Sequence, residues 1–435
     1  MAPFLDRLAA LLLERHGTQL ADVAVVLPGR RAGLHLRKYL AQRAGRPLWS
    51  PELLDPGAFL ARIAGWRQGT SAQLLLLLHE CHAELAATAA EPLAAFLQWA
   101  PTTLRDMSEA DAHLLDLDLL YRDLRQYHEL EEWGRLFGEV PSPSQQRLIG
   151  QWADTGELHR RFAERMRQAG VATSGAIARE AARLAADTAW TPLWKAVWIA
   201  GLNALEPGAS SVLVALRQRG LLHIAWDADR YYLDDLQHEA GRFLRRSIDQ
   251  LGAGLVPPRD AILQQDRRIA LVNLPDRMAM ARFAASWASE LPADQRDQAA
   301  IVLADEGLLL PLLEALPEAI GPVNVSMGVP LDALPVHGLI EEFLRLVGSP
   351  PDRWRASELT SLLGHPLLRD GPAERAIAAL RARQWPIWHR DDALAALREA
   401  GLHAAAIDAL GSDAADRVER LIAWALLAAG DNDLA

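Results

Sequence analysis

Three groups of side chains in this sequence have the types and spacing needed for chemistry. The first is a run of six basic residues and no acid between Pro28 and Pro47. The second is the Asp-x-Asp pair Asp227 and Asp229, and the third is the cluster His79-Glu-Cys-His82. The three groups suit different ligands, which are phosphates for the arginines, magnesium or manganese for the carboxylates, and zinc for the histidines.

The basic run is the best candidate for binding phosphates. A guanidinium grips a phosphate with two hydrogen bonds and also stacks on a base. The alternative is a solvated helix face, because Arg30, Arg37 and Arg43 need not point in the same direction. On the first interpretation, the predicted DNA contacts in and next to this run are Arg30, Arg31, Arg37, Lys38 and Trp49.

The Asp-x-Asp pair closes a predicted strand at its carboxyl end, where open α/β sheets bind their ligands. Asp227 and Asp229 could hold a divalent metal for a nucleotide-sugar reaction. They could instead cap the following helix and pair with arginines, or the neighbouring Trp226 and Tyr231 could stack on bases. The structural role is favoured, because Asp-x-Asp is a weak pattern on its own.

The histidine cluster falls one residue short of the His-Glu-x-x-His spacing of zinc enzymes. His79 and His82 still share a helix face, but no third ligand is evident nearby, so a helical packing cluster is favoured. Cys81 is the only cysteine, which excludes an intrachain disulfide and any cysteine-based zinc or four-cysteine iron–sulfur site within these residues. We predict no metal and no cofactor.

Lysine is almost absent, with Lys38 and Lys195 the only two among 45 basic residues. A P-loop needs a lysine after its second glycine, followed by serine or threonine, and neither lysine has these neighbours. A nuclease of the PD-(D/E)xK type needs an acid two positions before its lysine, but Leu36 and Leu193 stand there. We therefore expect no ATPase and no nuclease active site in these residues.

Apolar runs predict a parallel sheet in the first half of the chain. Asp22–Leu27 is a continuous apolar run typical of a buried parallel strand. Ala196–Ala200 and Leu221–Trp226 predict two more strands, with a crossover helix at Gly208–Arg219 between them. The intervening region, Ser71–Arg167, is helical in pattern and indicates an all-α insertion.

Leu255–Asp260 is a linker by composition. Beyond it, Arg268–Asn273 and Gln298–Leu303 predict strands of a second α/β domain, and Arg277 follows the first of them at a helix start, where a phosphate can bind. After Pro350 the pattern is helical. The predicted domains are 1–68 plus 170–258, an α/β unit; 69–169, its helical insertion; 266–348, the start of a second α/β unit; and 349–435, a second helical insertion.

The composition agrees with a multidomain globular protein. The chain has 435 residues, half of them apolar, which is more than one hydrophobic core normally organises. A net charge of -11 argues against nucleic acid being bound over the whole surface but permits a local basic track. No apolar run is long enough for a membrane span and no secretory signal is recognisable, so we expect a cytoplasmic protein with no membrane partner.

Several motifs, taken in order, resemble the inactivated superfamily-one (UvrD-type) helicase region of AddB-like PD-(D/E)xK nuclease proteins. In the first half they are Val26-Leu-Pro-Gly-Arg-Arg-Ala-Gly33, Pro47-Leu-Trp-Ser-Pro51, Trp198-Ile-Ala-Gly-Leu-Asn-Ala-Leu205 and Trp226-Asp-Ala-Asp-Arg-Tyr-Tyr232. In the second half they are Ala300-Ile-Val-Leu-Ala-Asp305, Asn324-Val-Ser-Met-Gly-Val-Pro330 and Leu362-Leu-Gly-His-Pro-Leu367. The resemblance covers most of the chain.

The resemblance implies an α/β fold of two RecA-like (P-loop NTPase-like) parallel-sheet domains, 1A-like and 2A-like, with helical insertions, 1B-like and 2B-like. The Gly29–Gly33 loop would occupy the place of the motif that touches single-stranded DNA. Gly201, Leu202 and Asn203 would stand where active helicases carry an Asp-Glu pair, so the nucleotide site would be degenerate. Such proteins usually continue into a C-terminal nuclease, so the chain is expected to be a truncated form that ends within a helical insertion.

The function implied is a catalytically inactive, DNA-binding scaffold of a helicase–nuclease subunit in double-strand break processing and recombination repair. Its partners would be single-stranded or forked DNA and an active AddA-like helicase–nuclease subunit. Two alternatives remain open. One is a metal-dependent nucleotide-sugar glycosyltransferase that uses Asp227 and Asp229. The other is a protein scaffold whose basic loop contacts an acidic partner.

Overall fold

The computed structural model describes residues 2–17, 19–86, 91–122, 143–264, 268–296, 298–350, 352–411 and 420. The chain divides into two compact units, Met1–Arg268 and Ile269–Ala435. The helices of the first unit are α1 (Phe4–His16), α2 (Arg30–Ala44), α3 (Pro56–Ala64), α4 (Ser71–Ala86), α5 (Leu93–Phe96), α6 (Ala100–Ala112), α7 (Pro143–Ala169), α8 (Ser174–Ala186), α9 (Pro207–Gln218), α10 (Arg230–Leu233), α11 (Arg242–Leu251) and α12 (Ala261–Gln264).

The core of the first unit is a four-stranded parallel sheet, so the chain is an α/β protein, as predicted. The strands are β1 (Val23–Val26), β2 (Glu52–Leu54), β5 (Ala196–Ala200) and β6 (Leu222–Ala225), in the order β2-β1-β5-β6. Val23 lies opposite Ala196, and Val197 lies opposite Leu222. A short parallel pair, β3 (Arg67–Gln68) and β4 (Val171–Ala172), flanks the insertion and has no clear signal in the sequence.

Helices cover both faces of the sheet, which explains why its central strands β1 and β5 are continuously apolar. Val23, Val25 and Trp198 pack against α1 and α2 on one face. Ala24 and Ile199 belong to the larger core on the other face, which includes α3, α8 and α9. Because neighbouring side chains of a strand point to opposite faces, a strand buried on both sides needs an apolar residue at every position.

The segment predicted to be a linker runs along the edge of β6. The Leu255 N–H donates to the Ile224 carbonyl at 2.7 Å, and the Arg259 N–H donates to the Ala228 carbonyl at 2.8 Å. Val256 is buried. The composition of this segment, with Pro257 and Pro258, indicated a linker, but its backbone satisfies hydrogen bonds at an edge that the sheet would otherwise leave open.

The second unit contains helices and one antiparallel strand pair. The helices are α13 (Arg277–Glu290), α14 (Ala293–Arg296), α15 (Leu309–Ala315), α16 (Pro335–Gly348), α17 (Ala356–Leu363), α18 (Gly371–Ala382), α19 (Arg390–Glu399) and α20 (Ala404–Gly411). The strands are β7 (Arg353–Arg355) and β8 (Ile387–His389), which place Trp354 opposite Trp388 in a buried core. After Pro350 the sequence had indicated only helices.

The strands predicted at Arg268–Asn273 and Gln298–Leu303 are wrong for the chain as described. Neither segment is a strand, and their apolar side chains are largely exposed, with Leu271 96% and Val302 89% accessible. A strand needs a hydrogen-bonded neighbour, and the only paired strands among the described residues of this unit are β7 and β8. Both segments are apolar, but among the described residues no neighbouring strand forms hydrogen bonds with them.

None of the helices in the described ranges is long and apolar enough to cross a membrane.

A histidine pair packs against the sheet beside Trp198. The indole N–H of Trp198 donates to His16 Nε2 at 2.9 Å, and the His223 ring lies 4.9 Å from that of Trp198. Burial lowers the pKa of both histidines below the ordinary value of 6.5, and the Arg15 cation acts in the same direction. The folded state therefore favours neutral rings, as the hydrogen bond to His16 Nε2 requires.

We expect the first unit to lose stability as the pH falls below about 6.5. The unfolded chain takes up protons on these histidines before the folded chain does, so the stabilisation is fully present above that pH and is lost below it. Urea unfolding of the wild type and of His16→Gln, at several pH values between about 7 and 5, measures the effect. Glutamine still accepts the Trp198 hydrogen bond, so the variant should lose less stability in acid. The exposed His35→Gln variant is the control, and an equal acid response in all three proteins would contradict the assignment.

Candidate functional site

The order of the sheet marks the place where a ligand is expected. The chain leaves β1 toward β2 on one side and leaves β5 toward β6 on the other. In open parallel sheets, ligands bind outside the carboxyl ends of two such adjacent strands. Here the two loops at that position are Leu27–Gly29, which follows β1, and Gly201–Asn203, which follows β5.

Apolar side chains fill the position directly in front of β1 and β5. Gly201 has φ +67°, and a Cβ built on it would lie 3.5 Å from Phe4 Cε1 and 3.8 Å from Pro28 Cγ. Phe4, Leu27 and Leu202 are buried. The start of α1 therefore packs against the residues in which the sequence predicts a degenerate nucleotide site.

The amino end of α2 lies next to this contact and is suited to bind anions. Helix α2 has 15 residues, its N-cap is Gly29, and its first turn holds no acid. Gly29 has no side chain with which to cap the first N–H groups of the helix. The partial positive charge of a helix amino end attracts anions, and the side chains of Arg30 and Arg31 add two full charges at the same position.

Four of the predicted DNA contacts lie on the solvent-facing side of α2. Gly33, Leu36 and Leu40 are its buried residues, and a period of 3.6 residues places Arg31 and Lys38 opposite them and Arg30 and Arg37 along one border of the exposed side. Among the described residues, Arg30, Arg37 and Lys38 have no acidic partner. All four basic side chains are exposed, namely Arg30, Arg31, Arg37 and Lys38.

Arg43 points away from this side. Its Nε and Nη2 donate to the two carboxylate oxygens of Asp6 at 2.6 and 2.7 Å, and this contact joins α2 to α1. The hydrogen bond from Arg43 also lowers the pKa of Asp6. Of the six basic residues in the run, Arg43 is therefore structural, which answers the question of orientation that the spacing left open.

Trp49 and Trp226, the two tryptophans among the predicted DNA contacts, differ completely in exposure. Trp49 is 80% exposed and comes three residues before the amino end of β2. Trp226 is 3% exposed, and its indole N–H donates to the Gly252 carbonyl at 3.1 Å. The prediction that Trp226 binds DNA is wrong, because its ring belongs to the core. Tyr231 is 39% exposed and packs edge-on against Tyr232 and His238.

The Asp-x-Asp pair has the structural role that the sequence favoured. One oxygen of Asp229 accepts the Tyr231 N–H at 3.0 Å and caps α10, and the other accepts the N–H groups of Ala261 and Ile262 at 2.8 and 3.2 Å. Asp227 accepts from Arg259 at 3.1 Å. Within the described ranges, no three metal-binding side chains come together. Both carboxylates are thus engaged in contacts that a metal ion would have to displace.

The histidine cluster of α4 packs against aromatic rings. The His79 and His82 rings lie 4.9 and 5.5 Å from that of Phe96, and His82 also contacts Trp99 and Glu91. This arrangement agrees with the packing role that the sequence favoured.

Neither lysine lies where a P-loop lysine would act. Lys195 pairs with Asp22 at 2.7 Å, and these residues directly precede β5 and β1, at the amino ends of the strands. Lys38 lies eight residues into α2, about 12 Å from its amino end. The residues next to each lysine do not match a P-loop motif. In the structure, neither lysine lies at the amino end of the helix that follows β1.

Arg277 is the first residue of α13 in the second unit. The Asp276 side chain caps this helix by accepting the Ala279 N–H at 2.7 Å, and Arg277 forms an ion pair with Asp305. The predicted helix start is confirmed, but an acid already neutralises the Arg277 side chain.

Two further arginines, Arg7 and Arg259, lie at the carboxyl end of the sheet and were missed by the motif search. Arg7 donates to the Pro257 carbonyl at 2.8 Å, across 250 residues of sequence. No local sequence pattern marks either residue, because the contacts that place each of them are made with residues distant in the sequence.

A comparison with protein-family models and with curated proteins found no match for this chain.

Proposed function

We propose that this chain binds single-stranded nucleic acid along α2 and does not hydrolyse ATP. In this proposal it is the inactivated, RecA-like part of an AddB-type subunit that guides DNA during break processing, beside an active helicase–nuclease partner. The observation that carries the proposal is the amino end of α2, where Arg30 and Arg31 begin a helix that has no acid in its first turn, at the carboxyl end of a central strand.

The exposed side of α2 supports a strand rather than a single anion. Arg30 and Lys38 are about 12 Å apart along the helix, which is farther than one phosphate extends. Arg37 aligns with Arg30 two turns along the helix, and Lys38 aligns with Arg31 in the same way, so the helix offers charges at two levels about 10 Å apart. Such spacing matches the repeated phosphates of a nucleic acid strand, and the exposed ring of Trp49 adds a surface on which a base can stack.

The residues in front of β1 and β5 support the proposed lack of ATP hydrolysis. Phe4, Pro28 and Gly201 meet there, and neither lysine of the chain lies nearby. A triphosphate needs a lysine and a magnesium-binding hydroxyl on a glycine-rich turn. The proposed RecA-like relationship concerns the first unit, and it rests on the motif order and on the parallel sheet of that unit.

Binding of a fluorescent single-stranded oligonucleotide, measured over a range of salt concentrations, tests the proposal. Wild-type affinity should fall steeply with salt, with a slope of about −0.7 in log K against log salt for each phosphate neutralised. The double variant Arg30→Ala/Arg31→Ala should bind about tenfold more weakly and should reduce the steepness of that slope by about 1.4, since it removes two of these contacts.

The control is Lys195→Ala, which removes a positive charge at the opposite ends of the strands. It should leave the affinity almost unchanged. Wild-type affinity that ignores salt, or equal binding by the double variant, would count against the proposal. DNA-stimulated ATP hydrolysis by the wild type would refute its second half. Manganese-dependent binding of a nucleotide sugar that is lost in Asp227→Asn would instead favour a glycosyltransferase.

A further inference from the structure

We propose that Arg7 and Arg259 form a second phosphate-binding subsite at the carboxyl end of β6. A bound strand would then pass from the amino end of α2 across the carboxyl ends of β1 and β5 to β6. This inference deepens the proposed function and rests on it, because the ligand is the same strand.

The subsite is assembled from three distant parts of the sequence. Arg7 belongs to α1 and donates to the Pro257 carbonyl at 2.8 Å. Arg259 lies two residues farther along the same edge segment. Its backbone N–H donates to the Ala228 carbonyl, and its side-chain Nη2 donates to Asp227 at 3.1 Å. Two guanidinium groups and one carboxylate therefore meet next to the end of β6.

The charges of this group do not balance. Burial lowers the pKa of Arg7, and the Arg259 cation adds to this effect while Asp227 opposes it, so the three groups lie within electrostatic reach of one another. An arginine keeps its proton even when its pKa is lowered, so the side chains of Arg7, Arg259 and Asp227 together carry one excess positive charge. In addition, Arg259 Nε is buried without a hydrogen-bond partner among the described residues. Both features are costly unless an anion supplies charge and acceptors.

The position of the group fits a continuation of the α2 track. Phe4, one helical turn before Arg7, meets Gly201 and Pro28 in front of the central strands. Arg30 follows Pro28 by two residues. Arg7 therefore lies about one helical turn along α1 from the contact that Phe4 makes with Gly201 and Pro28.

Three variants test this subsite with the single-stranded oligonucleotide and salt series. Arg7→Gln and Arg259→Gln should each weaken binding about threefold to tenfold and should each reduce the salt slope by about 0.7. Asp227→Asn removes the competing carboxylate, so it should bind two- to threefold more tightly than wild type. Lys195→Gln is the matched control at the amino ends of the strands, and thermal unfolding of each variant measures its folded fraction.

The sign of the Asp227→Asn effect separates the subsite from a merely structural cluster. A variant that only disturbs the fold cannot bind more tightly, so tighter binding together with weaker binding by the two glutamine variants supports the subsite. If Arg30→Ala/Arg31→Ala weakens binding while the Arg7 and Arg259 variants match Lys195→Gln, the subsite is refuted and the function of α2 stands. If the wild type does not bind the oligonucleotide, the proposed function and the subsite are both refuted.

Discussion

Replacing Asp111 by alanine is expected to destabilise the first unit by about 2 to 4 kcal/mol, because it breaks a buried network of charged and polar groups. The Asp111 side chain is only 4% exposed. It accepts from His159 Nε2 at 3.2 Å and from Arg179 Nε at 2.7 Å. The alanine variant would leave a buried imidazole and a partly buried guanidinium without their acceptor.

The network joins the helical insertion to a helix that covers the sheet. Asp111 lies on α6, His159 on α7 and Arg179 on α8. An ionised carboxylate only accepts hydrogen bonds, so His159 donates from Nε2 and its Nδ1 accepts from the Tyr121 hydroxyl at 2.7 Å. Arg179 also donates to the Leu115 carbonyl at 2.7 Å, which keeps part of its hydrogen bonding in the variant and limits the expected loss.

Urea unfolding followed by circular dichroism measures the effect of Asp111→Ala. Asp106→Ala is the matched control, because Asp106 lies on the exposed side of the same helix. It should change the free energy of unfolding by less than about 0.5 kcal/mol. Equal midpoints for the two variants would show that the network contributes little to stability.

Replacing Gly175 by alanine should cost about 3 kcal/mol or more, although alanine normally favours a helix. A Cβ built on Gly175 would lie 1.7 Å from the backbone oxygen of Ser108 and 2.6 Å from its carbonyl carbon. The obstacle is backbone, which cannot turn aside as a side chain does. Helices α6 and α8 would have to move apart, and the hydrogen bond from the Gly175 N–H to Ser108 Oγ, at 3.1 Å, would be lost.

Gly33→Ala provides the comparison within the same unit. A Cβ on Gly33 would meet Leu53 Cδ1 at 3.5 Å, which is an ordinary contact, so this variant should be neutral or up to about 1 kcal/mol more stable. Thermal or urea unfolding of both variants distinguishes close helix packing from a general intolerance of glycine replacement. A Gly175→Ala protein as stable as Gly33→Ala would contradict the close approach of α6 and α8.

Asp111 and Gly175 both affect the proposed function, because both hold α8 in position against α6. Thr173 caps α8, which packs against α3 and α6 and leads through the loop after Ala186 into β5. Residues of β5 and of the loop after it, including Gly201, hold Phe4 and Pro28 in place at the start of the proposed track. A loosened α8 is therefore expected to lower the folded fraction first and nucleic acid binding as a consequence.

The sequence alone was sufficient to identify strands of the parallel sheet and the absence of a P-loop motif. Continuous apolar runs identified β1 and β5, and a largely apolar run identified β6, because a strand that is covered on both faces carries an apolar residue at nearly every position. The shortage of lysine is a property of covalent structure that folding cannot change, so the exclusion of a P-loop needed no coordinates. The basic run and the capping role of Asp229 were also readable, since both depend on residues close in the chain.

Only the tertiary structure decided which side chains face solvent and which distant residues meet. Local spacing could not reveal that Arg43 turns toward Asp6, that Trp226 is buried against Gly252, or that Arg7 bonds to the Pro257 carbonyl across 250 residues. The prediction of strands at the start of the second unit was wrong for the same reason, because a strand requires a neighbouring segment as well as an apolar pattern. The direction of a side chain depends on the segments packed around it, and those segments are brought together by folding.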